Sequence, residues 1–303
     1  KVLKDGMKVT VDGTNGKVYD GQVAQTRLVE VKEALPTKVK LKLILDLPEF
    51  AERAAESKIE YVGLLRLEGI IASMGKHPLK YEKDKNLEAY TELLKKGIQK
   101  ISKHFKEVWI RSSDLRSDEY SSLEGSPEKE ENPMLGFHGI RFSLKHLGIL
   151  EAELEAIKKV AENNEDKKFG VMFPQIISIQ EVIEAKKIFS KFKLRNMKFG
   201  AMIETPAAVQ IIDDITKEVD FISFGTNDLT QYTLAVDRGE DSVQDLYNES
   251  HPAVLSQIKK VLESCKKNNV ETSICGQAGS NKEMIEFLLE NGIDSIRVNA
   301  DAA

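Results

Sequence analysis

From about residue 38 onward, short runs rich in β-branched and aromatic residues alternate with longer stretches in which apolar side chains recur every three or four positions. The first pattern predicts buried strands, the second predicts amphipathic helices, and their alternation predicts βα units around a parallel sheet. Strand-like runs fall at 39–47, 61–67, 107–111, 169–174, 198–204, 221–226, 271–275 and 295–298. Helical periodicity occupies 87–104, 151–162, 181–192, 252–267 and 282–291. Eight strands with helices between them predict an α/β chain folded as a (β/α)8 TIM barrel.

Two regions break this rhythm. In residues 1–24, Val9 and Val11 alternate with polar neighbours, Asn15 and Gly16 supply a turn, and Val18 and Tyr19 resume a strand. A β-hairpin of this size is not stable alone. It is expected to be the end of a separate domain, joined by a linker over 25–37 to a barrel over 38–303 whose last helix is missing. The second region, 112–139, contains Gly125, Pro127 and Pro133 in a charged stretch, and predicts a long loop after the third strand. Such loops rise from the C-terminal rim of a barrel, where active sites are built.

Composition narrows the field. A hydrophobic content of 41% in 303 residues is ample for a buried core, while no apolar run approaches the length of a membrane span. A cytoplasmic location and no membrane partner are therefore expected. The formal net charge of -5 offers no basic field, so no nucleic-acid partner is expected. Cys265 and Cys275 are too few for a disulfide framework and have no neighbours at zinc-ligand spacing. Walker-type and Gly-x-Gly-x-x-Gly segments are absent from the sequence.

The chemistry-bearing residues collect at the C-terminal ends of the predicted strands. Arg66 lies near the end of the second, Arg111 ends the third, Glu204 the fifth, Asn227 and Asp228 follow the sixth, and Cys275 ends the seventh. Taken singly, each could equally cap a strand or pair with a neighbour; barrel geometry brings the whole set to one rim. Glu204 and Asp228, on consecutive strands, can share a small hard cation, and Mg2+ suits two carboxylates completed by water and substrate oxygens. Thr226 and Asn227 add groups that orient a substrate, and Gly225 admits its close approach. Arg66 and Arg111 match phosphate oxygens bidentately; Arg116 and Arg141, in or just after the long loop, rank below them. Cys275, with a thiol taken as unperturbed near pKa 8.5, can serve as general acid toward an enolate carbon. Cys265, on a helical stretch, is read as a core residue. None of His77, His104, His138, His146 and His251 sits in a segment suited to carrying a phosphoryl group.

Six segments, in order, resemble a known family: 63–68 (Gly-Leu-Leu-Arg-Leu-Glu), 108–111 (Val-Trp-Ile-Arg), 132–136 (Asn-Pro-Met-Leu-Gly), 202–206 (Met-Ile-Glu-Thr-Pro), 225–231 (Gly-Thr-Asn-Asp-Leu-Thr-Gln) and 275–278 (Cys-Gly-Gln-Ala). Together they are similar to the signature segments of the phosphoenolpyruvate-utilising enzymes. The resemblance implies a barrel that binds phosphoenolpyruvate (PEP) or pyruvate with Mg2+, served by a swivelling phosphohistidine domain and an ATP-binding domain. It implies that Arg66 and Arg111 bind phosphate, that Glu204 and Asp228 hold the metal, and that Gly225, Thr226 and Asn227 line the substrate, with Cys275 as proton donor. Residues 1–24 resemble the end of the swivelling domain, and a homo-oligomer is expected. Segments 132–136 and 275–278 look more like the synthase branch of the family than the dikinase or phosphotransferase-system branches. One departure is His138, where the family often has Arg, which puts its help with phosphate in question. A magnesium-dependent lyase or aldolase working through a pyruvate enolate, and a non-catalytic assembly module, are the readings from other classes.

Overall fold

A parallel sheet leaves no edge unpaired only when it closes on itself. A computed structural model describes residues 3–12, 17–23, 37, 39–192 and 197–299 of this chain. Eight strands in it close a barrel: β3 (Lys40–Leu45), β4 (Tyr61–Arg66), β5 (Glu107–Arg111), β6 (Lys168–Phe173), β7 (Met197–Ile203), β8 (Phe221–Gly225), β9 (Glu271–Cys275) and β10 (Ser295–Asn299). They run parallel in the closed order β10-β3-β4-β5-β6-β7-β8-β9. The TIM-barrel expectation is thus the observed fold. Runs 107–111 and 271–275 coincide with strands, and the other boundaries differ by one or two residues. Glu204 and Thr226, for example, fall just beyond β7 and β8.

The chain divides into two compact units, Lys1–Ala34 and Leu35–Ala303. In the first, β1 (Val9–Asp12) and β2 (Lys17–Asp20) pair antiparallel, with Val9 opposite Asp20 and Asp12 opposite Lys17. The turn expected at Asn15 and Gly16 lies outside the described residues, as does the expected linker apart from Thr37.

All five periodic stretches are helical, as Leu87–Ser102, Leu147–Glu162, Ile179–Ser190, Pro252–Asn268 and Lys282–Glu290. Their starts follow local chemistry. Ser178 accepts the backbone N–H of Glu181 while the Glu181 carboxylate accepts that of Ser178, a reciprocal cap. His251 Nδ1 accepts the Ala253 N–H at 3.1 Å, with Pro252 at the first helical position. Leu67–Ser73, Pro78–Lys83, Ile140–Lys145 and Pro206–Gln210 escaped the periodicity argument because they are too brief to show a period, and Thr226–Leu234 because it carries few apolar residues. Among the described residues, no helix is long and apolar enough to cross a membrane.

Two cores result. A large one lies between strands and helices, and a smaller one of Leu64, Trp109, Met172, Met202, Phe221 and Cys275 lies in the barrel lumen. Gly200 faces the Phe221 ring so closely that no Cβ would fit there. The N-terminal end of the lumen is plugged by charge: buried Lys42 donates to Glu107 at 2.5 Å and Glu271 at 3.2 Å and sits 3.6 Å from the Trp109 ring centroid. Apolar floor below and polar rim above leave one end of the lumen to form a site.

Candidate active site

The cavity at the C-terminal rim has a volume of about 250 Å3. Strand register builds it. Arg66 and Arg111, the last residues of β4 and β5, are direct cross-strand partners, and so are Gly225 and Cys275 at the ends of β8 and β9. Glu204 follows β7 immediately. Thr226, Asn227 and Asp228 form the first turn of the helix that begins where β8 stops. Arg66, Arg111, Glu204, Gly225, Thr226, Asn227, Asp228 and Cys275 all line this one cavity. Of the two lower-ranked arginines, Arg116 lines it too, held by Glu119, while Arg141 is turned away, donating to the Gly136 carbonyl at 3.0 Å.

The lining charges nearly cancel. Four guanidiniums (Arg66, Arg111, Arg116 and Arg238) face four carboxylates (Asp114, Glu119, Glu204 and Asp228). Each arginine is already engaged. Arg66 is clamped bidentately by Asp46, with Nε–Oδ1 at 2.6 Å. Arg111 donates to Glu68 at 3.0 Å and approaches Asp114 at 3.6 Å, and Arg238 approaches Asp228 at 3.6 Å. A polyanionic ligand entering this cavity has to take guanidiniums from carboxylates that already hold them.

Glu204 and Asp228 are the residues that could hold a cation here. Gln175, whose backbone sits at φ 62°, donates its N–H to Glu204 Oε1 at 2.7 Å and its side-chain amide to Asp228 Oδ2 at 2.8 Å, bridging the two carboxylates. Glu204 Oε2 takes no hydrogen bond among the described residues. Burial first, then the charges of Asp228 and Asp114, hold Glu204 well above the usual carboxylate range, and burial raises Asp228 as well, against Arg238. Two desolvated carboxylates held together are poorly stable as neighbouring anions. That donor set fits a hard divalent cation, and two carboxylates leave room in an octahedron for water and substrate oxygens. Gly225 is required here because a Cβ would collide with the Glu204 carboxylate.

Asn227, with its amide oriented to satisfy both neighbours, donates to Glu249 Oε1 at 3.1 Å and accepts from Arg238 Nη1 at 2.8 Å. Thr226 Oγ1 donates to the Cys275 carbonyl at 3.0 Å. Gly276, at φ 105°, carries the chain past them, and a Cβ there would stand 2.6 Å from Thr226 Oγ1.

The expectation of an unperturbed Cys275 is corrected. The thiol is 5% exposed and donates to the Phe224 carbonyl at 3.1 Å. Burial raises its pKa, partly offset by Arg297 and by the Ser223 hydroxyl, so it is a proton-bearing thiol at neutral pH. Cys265 is fully buried on its helix, pushed up to about 12, as a core residue would be.

His138 is likewise different from its expected state. Its Nδ1 lies 2.6 Å from Asp114 Oδ1 and its Nε2 3.0 Å from the Met134 carbonyl. Two acceptors facing two ring nitrogens favour the protonated ring, and although burial opposes it, the Asp114 hydrogen bond and charge raise the His138 pKa. The ring is 1% exposed and does not line the cavity. It supports Asp114 instead of meeting a ligand.

The start of the long connection is pinned from behind by two buried carboxylates. Glu68 accepts the Asp114 N–H, and Glu153 accepts the Ser113 N–H at 3.2 Å and the Tyr90 hydroxyl at 2.9 Å. Burial pushes Glu153 up to about 7. A folded-state pKa above the unfolded value means that the native state binds the extra proton, so stability falls as pH rises from about 4.5 to about 7 and stays reduced above. Glu153→Gln keeps an acceptor for Ser113 and offers a donor to the Tyr90 oxygen. Thermal melts should show the wild type losing stability between pH 5 and pH 8, by at most about 3 kcal/mol, and the variant losing clearly less; equal losses would contradict the assignment.

Asp114, Arg238, Gln175 and Asp46 were not singled out by sequence. Asp46 follows β3 directly and Gln175 lies two residues past β6, so the strand-end rule that selected Arg111 and Glu204 reaches them too. Asp114 and Arg238 are placed by loop geometry, for which the sequence carried no signal.

The model of the PEP-binding domain of the PEP-utilising enzymes matches residues 22–303. The chain is 45% identical over 313 residues to a probable phosphoenolpyruvate synthase of Archaeoglobus fulgidus, which covers 100% of this chain and 41% of that protein. It is 46% identical over 324 residues to a phosphoenolpyruvate synthase of Pyrococcus furiosus, covering 100% of this chain and 39% of that one. A phosphoenolpyruvate-protein phosphotransferase of Buchnera aphidicola is 37% identical over 257 residues, 82% of this chain and 43% of its own. Among solved structures, an HpcH/HpaI aldolase/citrate lyase family protein from Burkholderia cenocepacia superposes with a TM-score of 0.50 at 14% identity, over 87% of this chain and 88% of that one, a likeness of fold alone.

Proposed function

Because this chain belongs to the PEP-utilising enzymes, through their PEP-binding domain, we propose that its rim cavity binds PEP and pyruvate and carries the pyruvate half of a phosphoenolpyruvate synthase reaction. The observation that carries this reading is the make-up of the cavity: guanidiniums for an anion, a desolvated carboxylate pair for a cation, and a protonated thiol at an apolar wall. In the whole protein we propose that a phosphohistidine, charged from ATP elsewhere in the chain, exchanges its phosphoryl group with the pyruvate enolate. This chain spans 41% and 39% of the first two relatives' lengths, which leaves room in them for those parts. A cytoplasmic setting accompanies the proposal.

Glu204 and Asp228 would hold Mg2+, and when bound it would supply the positive charge that stabilises an enolate oxygen. Arg66 and Arg111 then bind the phosphoryl oxygens, exchanging part of their present pairing with Asp46 and Glu68 for the ligand. Arg238, steered by Asn227, meets a substrate oxygen from the other side. Ile44, Leu64 and Met202 offer the reacting CH2 or CH3 an apolar wall, where water is excluded from the enolate carbon. Cys275 stands in that wall and moves the proton: its S–H protonates the enolate carbon toward pyruvate, and the thiolate takes a methyl proton in the synthetic direction.

Enolate formation is separable from phosphoryl transfer, so this chain can be tested alone. With magnesium present, it should exchange the methyl protons of pyruvate for deuterium from the solvent, followed by proton NMR. A folded chain that binds pyruvate with magnesium yet leaves the methyl signal at the uncatalysed rate would sink the proton-transfer part of the proposal.

A further inference from the structure

Directly beneath Cys275 lies a cation that the reading above does not use. Arg297, in the middle of β10, is 0% exposed and fills the lumen. The fold makes room for it: a Cβ on Gly63 of β4 would stand 2.7 Å from Arg297 Nε. Its cross-strand neighbour Lys42 is neutralised by Glu107 and Glu271, but Arg297 has no carboxylate partner among the described residues. Its hydrogen bonds go to two hydroxyls, Nη1 to Ser223 Oγ at 2.8 Å and Nη2 to Ser273 Oγ at 2.6 Å, with Nη1 also 3.8 Å from Met172 Sδ, while Nε is left without a partner. A buried guanidinium costs several kcal/mol to desolvate unless an anion compensates it. The Ser223 hydroxyl that accepts from Arg297 donates in turn to Cys275 Sγ at 3.7 Å.

We propose that Arg297 is a positioning residue for the proton-transfer step, which acts through Ser223 to hold the Cys275 sulfur in place and to stabilise its thiolate. The proposal rests on the role given to Cys275 above. When the enolate carbon takes the proton, the S–H bond breaks, its electron pair stays on sulfur, and the new charge faces a donor chain ending in a fixed cation. In the opposite direction the same chain keeps a thiolate available to remove a methyl proton. Arg297 is thereby compensated most closely while the sulfur is charged, with Glu271 and Glu107 acting on it as charges that make no ion pair with it, which accounts for such a cation in a barrel core. Burial draws the guanidinium down to about 10, and Cys275 is foremost among the groups holding it up. The other charges facing the thiol are Glu204, from the end of β7, which disfavours the thiolate, and Arg111, from the end of β5, which favours it.

The test reads the thiol directly. The ultraviolet absorbance of the Cys275 thiolate is titrated as the difference between a protein and the same protein carrying Cys275→Ala, without substrate. In Arg297→Met, which keeps volume and removes charge, the midpoint should rise by about one pH unit, the lower end of what an opposite charge contributes. Arg297→Lys should bring it back part of the way, and Ser223→Ala should raise it with Arg297 intact. An unchanged midpoint in folded Arg297→Met overturns the proposal; if that variant does not fold, an unchanged midpoint in Ser223→Ala does so. Pyruvate methyl exchange by the unmodified chain is measured alongside. Absent exchange with a shifted midpoint counts against the substrate reading alone, and exchange with an unshifted midpoint counts against Arg297 alone.

Discussion

Glu204→Gln is expected to abolish magnesium-dependent PEP binding while leaving the barrel folded. Glu204 and Asp228 are the two anionic donors in the cavity bridged by Gln175, and of their remaining oxygens Asp228 Oδ1 is approached by Arg238 at 3.6 Å while Glu204 Oε2 takes no hydrogen bond among the described residues. Removing one formal charge from a two-carboxylate site strikes the metal directly. Since even outer partners of metal ligands are worth about 10–100-fold in affinity, the loss should exceed about 100-fold. The fold should not suffer. Burial and Asp228 already hold the Glu204 pKa above its unfolded value, so ionising this carboxyl costs stability as pH rises, and the neutral amide removes that cost. Its oxygen still accepts from the Gln175 N–H. Calorimetry with PEP, paired with a thermal melt of the metal-free protein, checks both halves. A variant that binds PEP and magnesium like wild type would remove Glu204 from the site, and one that unfolds would make its role structural.

Cys275→Ala is expected to stop proton exchange at the pyruvate methyl, by about 1,000-fold, the middle of the range for a positioned acid–base group, with pyruvate affinity nearly unchanged. The separation follows from the geometry. The affinity groups stand on β4, β5, β7 and the helix after β8, whereas the thiol stands on β9. Loss of the sulfur leaves the Ser223 hydroxyl bonded to Arg297, so the guanidinium keeps its hydroxyl partners and the binding groups are untouched. NMR exchange rates set against calorimetric affinities decide the matter: exchange that persists in the variant assigns the proton to another group, and a parallel fall of both quantities makes the thiol a binding residue.

Much of this architecture could be read from the chain because its signals are periodic or positional. Parallel strands buried on both faces appear as continuous apolar runs, and helices of 9 to 17 residues show their period, so eight strands and five helices were visible. Strand ends in a closed parallel barrel share a rim, so Arg66, Arg111, Glu204 and Cys275 could be brought together before any coordinates. Residues whose position depends on loop paths could not. Asp114 is aimed by Glu68, which holds its backbone N–H, and by Glu153, which holds that of Ser113 before it, and Arg238 by the chain following the helix Thr226–Leu234. Protonation states were also out of reach. The His138 pKa is raised, against burial, by Asp114 and the Met134 carbonyl facing its two nitrogens, and Cys275 is held as a thiol by burial. Arg297 reads in sequence as one charged residue in a short strand; only closure of β10 against β3 and β9 places it in the lumen.

The central claim, that this cavity takes PEP only with a cation on Glu204 and Asp228, is tested most directly by calorimetric titration of PEP into the chain with and without magnesium. Saturable binding with magnesium and none without it is the predicted result, since the rim arginines are already engaged by carboxylates until a cation enters. Equal binding in both conditions, or none by folded protein with magnesium present, would contradict it.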